Sequence, residues 1–220
     1  MSEAFDTAKP PMVKVLELNE DYRYKELFRV VRARLQYRRF DGTLSDPVTR
    51  LNFERGNSVG ILLYDRAQNA VLLVRQFRYP VFASLKAEEQ NSAGARHAWL
   101  LEIVAGVQEA DLDAGQVARK ELLEEAGYEL KSEPRSIATF YPSPGGTSES
   151  IALFWAEVAA GEQSGKGGGV AAEGEDTQLV TIPFNRALEM IRSGEIRDAK
   201  TIISLQHVAL LAREQAWSEG

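Results

Sequence analysis

The chain has 220 residues, 26 basic and 32 acidic side chains, a formal charge of -6, two histidines and no cysteine. At 44% hydrophobic and 26% charged residues it has the composition of an ordinary globular protein, long enough to bury a core without covalent staples. Lack of cysteine excludes a disulfide framework, a thiolate nucleophile and an iron-sulfur site, and two distant histidines do not build a metal centre, so a catalytic metal has to be held mainly by oxygen.

The amino terminus, MSEAFDTAKPPMVKVLELNED, carries acids where a signal peptide has bases. The longest apolar stretches, Ile61–Tyr64 and Ala70–Val74, fall far below the ~20 residues of a membrane span. A cytoplasmic setting without a membrane partner is expected, and the acidic balance argues against nucleic acid, whose binders need clustered positive charge. From Phe28 to Phe40, apolar and Arg positions alternate as in an exposed strand, Asp41-Gly42 turns, and a second extended segment runs toward Arg55. Strands follow at Ser58–Tyr64 and Ala70–Phe77 around a polar hairpin loop. Ala83–Arg96 reads as a loop and Trp99–Ala105 as a strand ending at Gly106.

Asp113 with Gln116 three residues on resembles a capping box, and Gly127 stands where a left-handed terminator belongs, which predicts a helix over Ala114–Ala126. Further strands are expected at Ser136–Tyr141 and Ser150–Val158, flanking the turn-rich 142–146. Gly161–Asp176 has the glycine content of a mobile loop. Gly165-Lys166 within it is no phosphate loop, because the spacing from Gly161 is one short and no Ser or Thr follows. A strand over Gln178–Ile182, a helix after Pro183 that ends near Gly194, and an amphipathic helix over Ala199–Gln215 complete an α+β pattern. Trp99, Phe154 and Trp155 read as core aromatics rather than base-stacking rings, and His97 and His207 as surface or packing residues.

Glu121, Glu124 and Glu125 carry the chemistry. Three and four apart on a helix, they share a face, and two lie in the last turn, where the helix dipole also disfavours anions. Such a face is either solvated, pairing with Arg119 and Lys120, or satisfied by a hard divalent cation such as Mg2+ or Mn2+.

The segment Gly106–Tyr128 resembles the Nudix box, with Gly106, Glu121, Leu122, Glu124, Glu125, Gly127 and Tyr128 at the box spacing. It departs at Lys120, where Arg is usual, and at Leu112, where a Glu is usual; a one-residue adjustment would let Asp113 face Lys120. The segments Arg55-Gly56-Asn57, Val74–Arg78, Glu102–Gly106, Ser143–Gly146, Gly167–Val170 and Gly194–Asp198 with Lys200-Thr201 are similar, in the same order, to the branch holding GDP-mannose hydrolases and ADP-ribose pyrophosphatases.

That resemblance implies a Nudix-type α/β/α sandwich with a mixed sheet over residues 57–220, and a small β-rich dimerisation subdomain over residues 1–56. It implies metal ligation by the Ala105 carbonyl, Glu121, Glu125 and Glu175, with Glu124 completing or orienting the cluster. Arg78, Ala105, Gly106, Glu149 and Lys200 correspond to substrate positions, and either Glu175 or Glu149 to the base that deprotonates water. Arg50 and Arg55 would lend charge to the other subunit's site in a homodimer, or simply keep an exposed sheet face soluble. The activity implied is Mg2+-dependent cleavage of a nucleoside diphosphate sugar, GDP-mannose or ADP-ribose, with UDP-glucose open, into a nucleoside monophosphate and a sugar phosphate. The departures at Leu112 and Lys120 keep a second expectation alive, a nucleotide-sugar or ADP-ribose sensor with weakened catalysis.

Overall fold

The computed structural model describes residues 12–25, 28–159, 163–169 and 176–218. The chain divides into two compact units, Met1–Gly56 with Ser143–Glu149, and Asn57–Pro142 with Ser150–Gly220.

In the second unit, β4 (Ser58–Asp65) and β5 (Ala70–Phe77) form a hairpin whose turn is closed by the Asp65 carboxylate accepting from the Gln68 amide. Their nearly unbroken apolar runs predict burial on both faces. Both faces are indeed covered. The sheet has seven strands in the order β10-β5-β4-β9-β8, with β6 (Trp99–Glu102) on β5 and β7 (Val104–Val107) on β4. The pairing of β4 with β9 (Ile151–Val158) is parallel, whereas β8 (Arg135–Phe140) and β10 (Thr177–Pro183) pair antiparallel, so the sheet is mixed.

One face packs Leu62, Leu73, Leu101 and Leu153 against α4 (Phe184–Ser193) and α5 (Ala199–Ser218). The other packs Val59, Ile61, Leu63 and Val74 against Val117, Ala118 and Leu122 of the carboxylate helix. Each fully buried Leu or Ile contributes about 1.5–3 kcal/mol through area removed from water. The result is the α/β/α sandwich that the resemblance implies. It sets the carboxylate helix and helices α4 and α5 on opposite sides of the sheet.

Two expectations change. The expected loop Ala83–Arg96 is not plain loop: it runs through the end of α1 (Tyr79–Ser84), α2 (Ala87–Gln90) and a 3₁₀ turn, Ala93–Ala98, pieces too short for periodicity to announce. Strand Trp99–Ala105 is interrupted at Ile103, whose amide leaves the ladder to donate to the buried hydroxyl of Thr201 at 2.9 Å.

The first unit holds an antiparallel sheet of β1 (Val13–Tyr24), β2 (Phe28–Tyr37) and β3 (Val48–Glu54). Its arginines pair across strands, Arg32 with Asp21 at 2.7 Å and Arg34 with Glu17 at 3.2 Å. Phe28 stacks on Phe53, and the Phe53 amide donates to the Gly146 carbonyl at 2.8 Å, which ties residues 143–149 to β3. Among the described residues no helix is long and apolar enough to cross a membrane.

Candidate active site

The carboxylate helix α3 (Ala114–Glu121) starts as its sequence predicts: the Asp113 side chain accepts from the Gln116 amide, and the Gln116 side chain accepts from the Asp113 amide. It runs into a wider π-type turn, Leu122–Ala126, and stops at Gly127, whose φ of 71° is the left-handed terminator. Because Asp113 serves as the cap, it does not face Lys120. Glu109 does, at 2.6 Å from the Lys120 ammonium, with Glu124 at 4.0 Å, and Leu112 packs against the apolar cluster beneath the helix. Hydrogen bonding to Glu109 leads the causes that raise the Lys120 pKa, with the Glu124 and Glu121 charges adding to it. Arg119 turns away instead, donating to the carbonyls of Leu130 and Ser132 at 2.8 and 2.7 Å. Of the two cations that the solvated-face reading assigns to the glutamates, Lys120 stays within 4.0 Å of Glu124 and Arg119 reaches away.

Glu125 is 2% exposed. The Glu121 carboxylate lies directly over Gly106 on β7: a Cβ there would sit 1.9 Å from Glu121 Oε1 and 2.0 Å from its Cδ. Only glycine lets the helix carboxylate settle on the strand, beside the main chain of Ala105. Glu121, Glu125 and the Ala105 carbonyl are oxygen donors of the kind that hard divalent cations take. Among the described residues no three acidic or histidine side chains by themselves form a metal cluster. The fourth expected ligand, Glu175, lies outside the described residues.

Glycine-rich residues 163–169 are docked against the end of this helix rather than loose. Gly168 and Gly169 amides donate to the carbonyls of Glu125 and Glu124 at 2.9 and 3.2 Å, and Ser164 and Gly165 amides donate to the Gly127 carbonyl at 2.8 and 3.0 Å. Carbonyls in a helix's last turn have no partner within the helix, and these amides supply one. The approach is so close that a Cβ on Gly167 would lie 2.3 Å from the Glu125 carbonyl oxygen, and one on Gly127 2.2 Å from that of Gly165.

Next to the carboxylates stands a network of ions. The Arg78 guanidinium, at the end of β5, donates through Nε and Nη2 to the two oxygens of Glu102 at 2.8 and 2.9 Å. Lys200 on α5 donates to the same Glu102 carboxylate and, at 3.0 Å, to Asp198. Asp198 also accepts from the Thr201 amide and hydroxyl, capping α5. Burial works to raise the Glu102 pKa, but the Arg78 hydrogen bonds and the two neighbouring cations overcome it and hold the carboxyl down at about 2. The Arg78 pKa is raised, chiefly by its hydrogen bonds to Glu102, and the Glu125 charge adds to that shift, which links the ion network to the carboxylate helix.

The structure thus gathers Ala105, Gly106, Glu121, Glu124, Glu125, Arg78 and Lys200 within the second unit. Arg50, Arg55 and Glu149 belong to the first. Arg50 is exposed and donates to the neighbouring Thr49 carbonyl, and Arg55 lies 3.6 Å from Glu149, itself 7% exposed. Glu102 and Asp198 had no role in the sequence reading. Their signal was present: a Glu in the apolar run WLLEIVAG has to find a cation once that strand is buried. Trp155 and Phe154 pack in the core as expected, but Trp99 is 48% exposed with its ring 4.9 Å from that of Phe77. A cleft of about 710 Å³, lined by Arg75, Arg96, His97, Trp99 and Arg197 among others, contains none of the candidate site residues.

A mixed sheet between helices, with a glutamate-bearing helix laid over a strand glycine, defines a class of enzyme. Residues 54–205 match the NUDIX domain, and the chain belongs to that family of hydrolases. Within the family it is related to GDP-mannose pyrophosphatases: one from Salmonella paratyphi B is 43% identical over 157 residues, 71% of this chain and 75% of that one. Another, from Shigella flexneri serotype 5b, is 40% identical over 159 residues, 72% of this chain and 76% of that one. A crystal structure of an ADP compounds hydrolase has a TM-score of 0.64 at 16% identity, covering 92% of this chain and 95% of that one, a likeness of fold.

Proposed function

We propose that the protein hydrolyses the pyrophosphate bond of a nucleoside diphosphate sugar, GDP-mannose or ADP-ribose, to a nucleoside monophosphate and a sugar phosphate. The observation that carries this reading is the Glu121 carboxylate seated on Gly106 beside Ala105, with Glu125 buried on the same helix. The names of the relatives favour GDP-mannose.

The chemical problem is to bring a nucleophile to a dianionic bridge. Ala105 through its carbonyl, Glu121, Glu125 and Glu175 would hold Mg2+, with Mn2+ as a substitute, and Glu124 would orient the cluster. Such an ion, when bound by these residues, would supply positive charge against the diphosphate and would lower the pKa of a coordinated water. Arg78, with Lys200 beside it, places fixed positive charge on the phosphate oxygens. A water oxygen attacks one phosphorus, the bond from that phosphorus to the bridging oxygen breaks, and the water proton passes to Glu175 or Glu149. Residues 1–56 would join two copies into a homodimer in the cytoplasm, with Arg50 and Arg55 reaching the second copy's site.

Monophosphate release from GDP-mannose, ADP-ribose and UDP-glucose with Mg2+ tests this directly. Turnover of a nucleotide sugar is expected in the wild type, and loss of at least about 1,000-fold in Glu125→Gln with the circular dichroism spectrum retained. Tight binding with no release under either metal would overturn hydrolysis in favour of a sensor.

A further inference from the structure

Glu102 has no assigned part in binding or chemistry, yet its buried carboxylate accepts from both Arg78 and Lys200. We propose that it is a positioning residue that presets Arg78 and Lys200 as a pair of cations for the diphosphate; the inference rests on the function proposed above.

Burying an ionised carboxylate costs several kcal/mol unless its lone pairs are satisfied. Glu102 is 2% exposed and meets that condition with donors from separate elements, the end of β5 and the first turn of α5. Arg78 commits Nε and Nη2 to Glu102, which fixes the plane of the guanidinium and leaves Nη1 for a further acceptor. Lys200 commits donors to Glu102 and Asp198 and has a third left. At 38% and 11% side-chain exposure the two cations are partly open, while their shared anion is closed off.

Asp198 and Thr201 keep α5 in register with the strands, since Asp198 caps that helix and Thr201 accepts from Ile103, two residues before Ala105. The cations and the strand that ends at the metal candidates are therefore held by one set of bonds. Held this way, neither long side chain has to be immobilised when substrate arrives, a cost otherwise paid from binding.

The sign of the Glu102→Gln effect separates positioning from mere charge. The substitution makes the site one unit more positive, so if Glu102 acted only as a counter-charge, an anionic substrate would bind more tightly. If it positions, the neutral amide loses one acceptor oxygen and turns an N–H donor toward Arg78 or Lys200, and binding weakens despite the added charge.

The experiment is a double-mutant cycle on kcat and KM for the best nucleotide sugar, with calorimetric binding of GDP-mannose in EDTA as a readout free of turnover. Arg78→Ala and Glu102→Gln are each expected to lower kcat/KM by about 10–100-fold, and the double variant by no more than the worse single. Glu102→Asp keeps the buried charge on a shorter arm and guards against misfolding of the amide: a roughly tenfold loss is expected with an unchanged urea midpoint. Tighter binding in Glu102→Gln, losses that multiply in the double variant, or wild-type kinetics in Glu102→Asp would each overturn the inference while leaving hydrolysis standing. A wild type that neither binds nor cleaves any of the three substrates would overturn both.

Discussion

Glu102 and Glu125 are the same residue type at the same exposure, 2%, close enough to share the field of Arg78, and they have different surroundings. Glu102 sits in a strand between two cations from other elements, so its charge is already answered. Glu125 sits on a helix beside Glu121 and Glu124, where Arg119 reaches away to Leu130 and Ser132, Lys120 lies 2.6 Å from Glu109 and 4.0 Å from Glu124, and Arg78 adds its charge from the neighbouring network. One carboxylate lies in a strand and is held by cations from two other elements; the other lies on a helix among carboxylates. Burial alone does not mark a catalytic acid; what surrounds the buried charge does.

The largest effect that can break this contrast comes from the strand beneath the carboxylate helix. Gly106→Ala places a Cβ where the Glu121 carboxylate now rests, and that side chain has to swing away from Ala105. Displacing a ligand by ~1 Å costs on the order of 100-fold in turnover. Such a loss is expected in steady-state assays with Mg2+, with core strands β4 and β5 keeping wild-type hydrogen exchange. Near wild-type activity would remove Glu121 from the metal set.

Acid titration sharpens the other half of the comparison. The Glu102 pKa is depressed in the folded state to about 2 from 4.5, so its contribution to stability is fully present above about pH 4.5 and is lost as the pH falls through 2. The shift corresponds to a loss on the order of 3 kcal/mol across that window. Urea midpoints at pH 5 and pH 3 should show a steeper fall in the wild type than in Glu102→Gln, which has no such proton to take up. Equal slopes would mean that the two cations do not stabilise the Glu102 anion in the way their geometry requires.

The smallest expected effect lies at the helix end. Gly167 has φ of 62° and no room for a side chain against the Glu125 carbonyl. Gly167→Ala should cost about 1–2 kcal/mol in thermal or urea unfolding and a few-fold in activity. An unchanged unfolding midpoint would show that the docked segment lends the helix nothing.

These residues also mark what a sequence can and cannot disclose. The helix from 114 to 126 was legible because its start, Asp113 with Gln116, and its stop, Gly127, are local chemistry. The hairpin of β4 and β5 was legible from two apolar runs around a polar turn. Val13–Tyr24 is a strand that the sequence does not announce, since acids interrupt its alternation and two register shifts bend its pairing with β2. The break at Ile103 depends on Thr201, 98 residues away, and no local pattern holds that information. At the site, the spacing of Glu121, Glu124 and Glu125 was visible, but where the neighbouring cations go was not, because Arg119 reaches forward to Leu130 and Ser132 and Lys120 across to Glu109. Glycine content misled over residues 163–169: the same freedom that suits a mobile loop here allows main chain to lie against main chain.

That docking also fixes an order of events. Gly127 and Ser164 lie 37 residues apart, and the chain between them contains β8 and β9, so the carbonyls at the helix end are met only after that hairpin has formed and returned the chain to its starting point. The helix can exist early, from its own capping signals, whereas the turn that bears Glu124 and Glu125 is sealed late. A newly made chain would therefore acquire native secondary structure before the turn that bears Glu124 and Glu125 is closed by its partner amides.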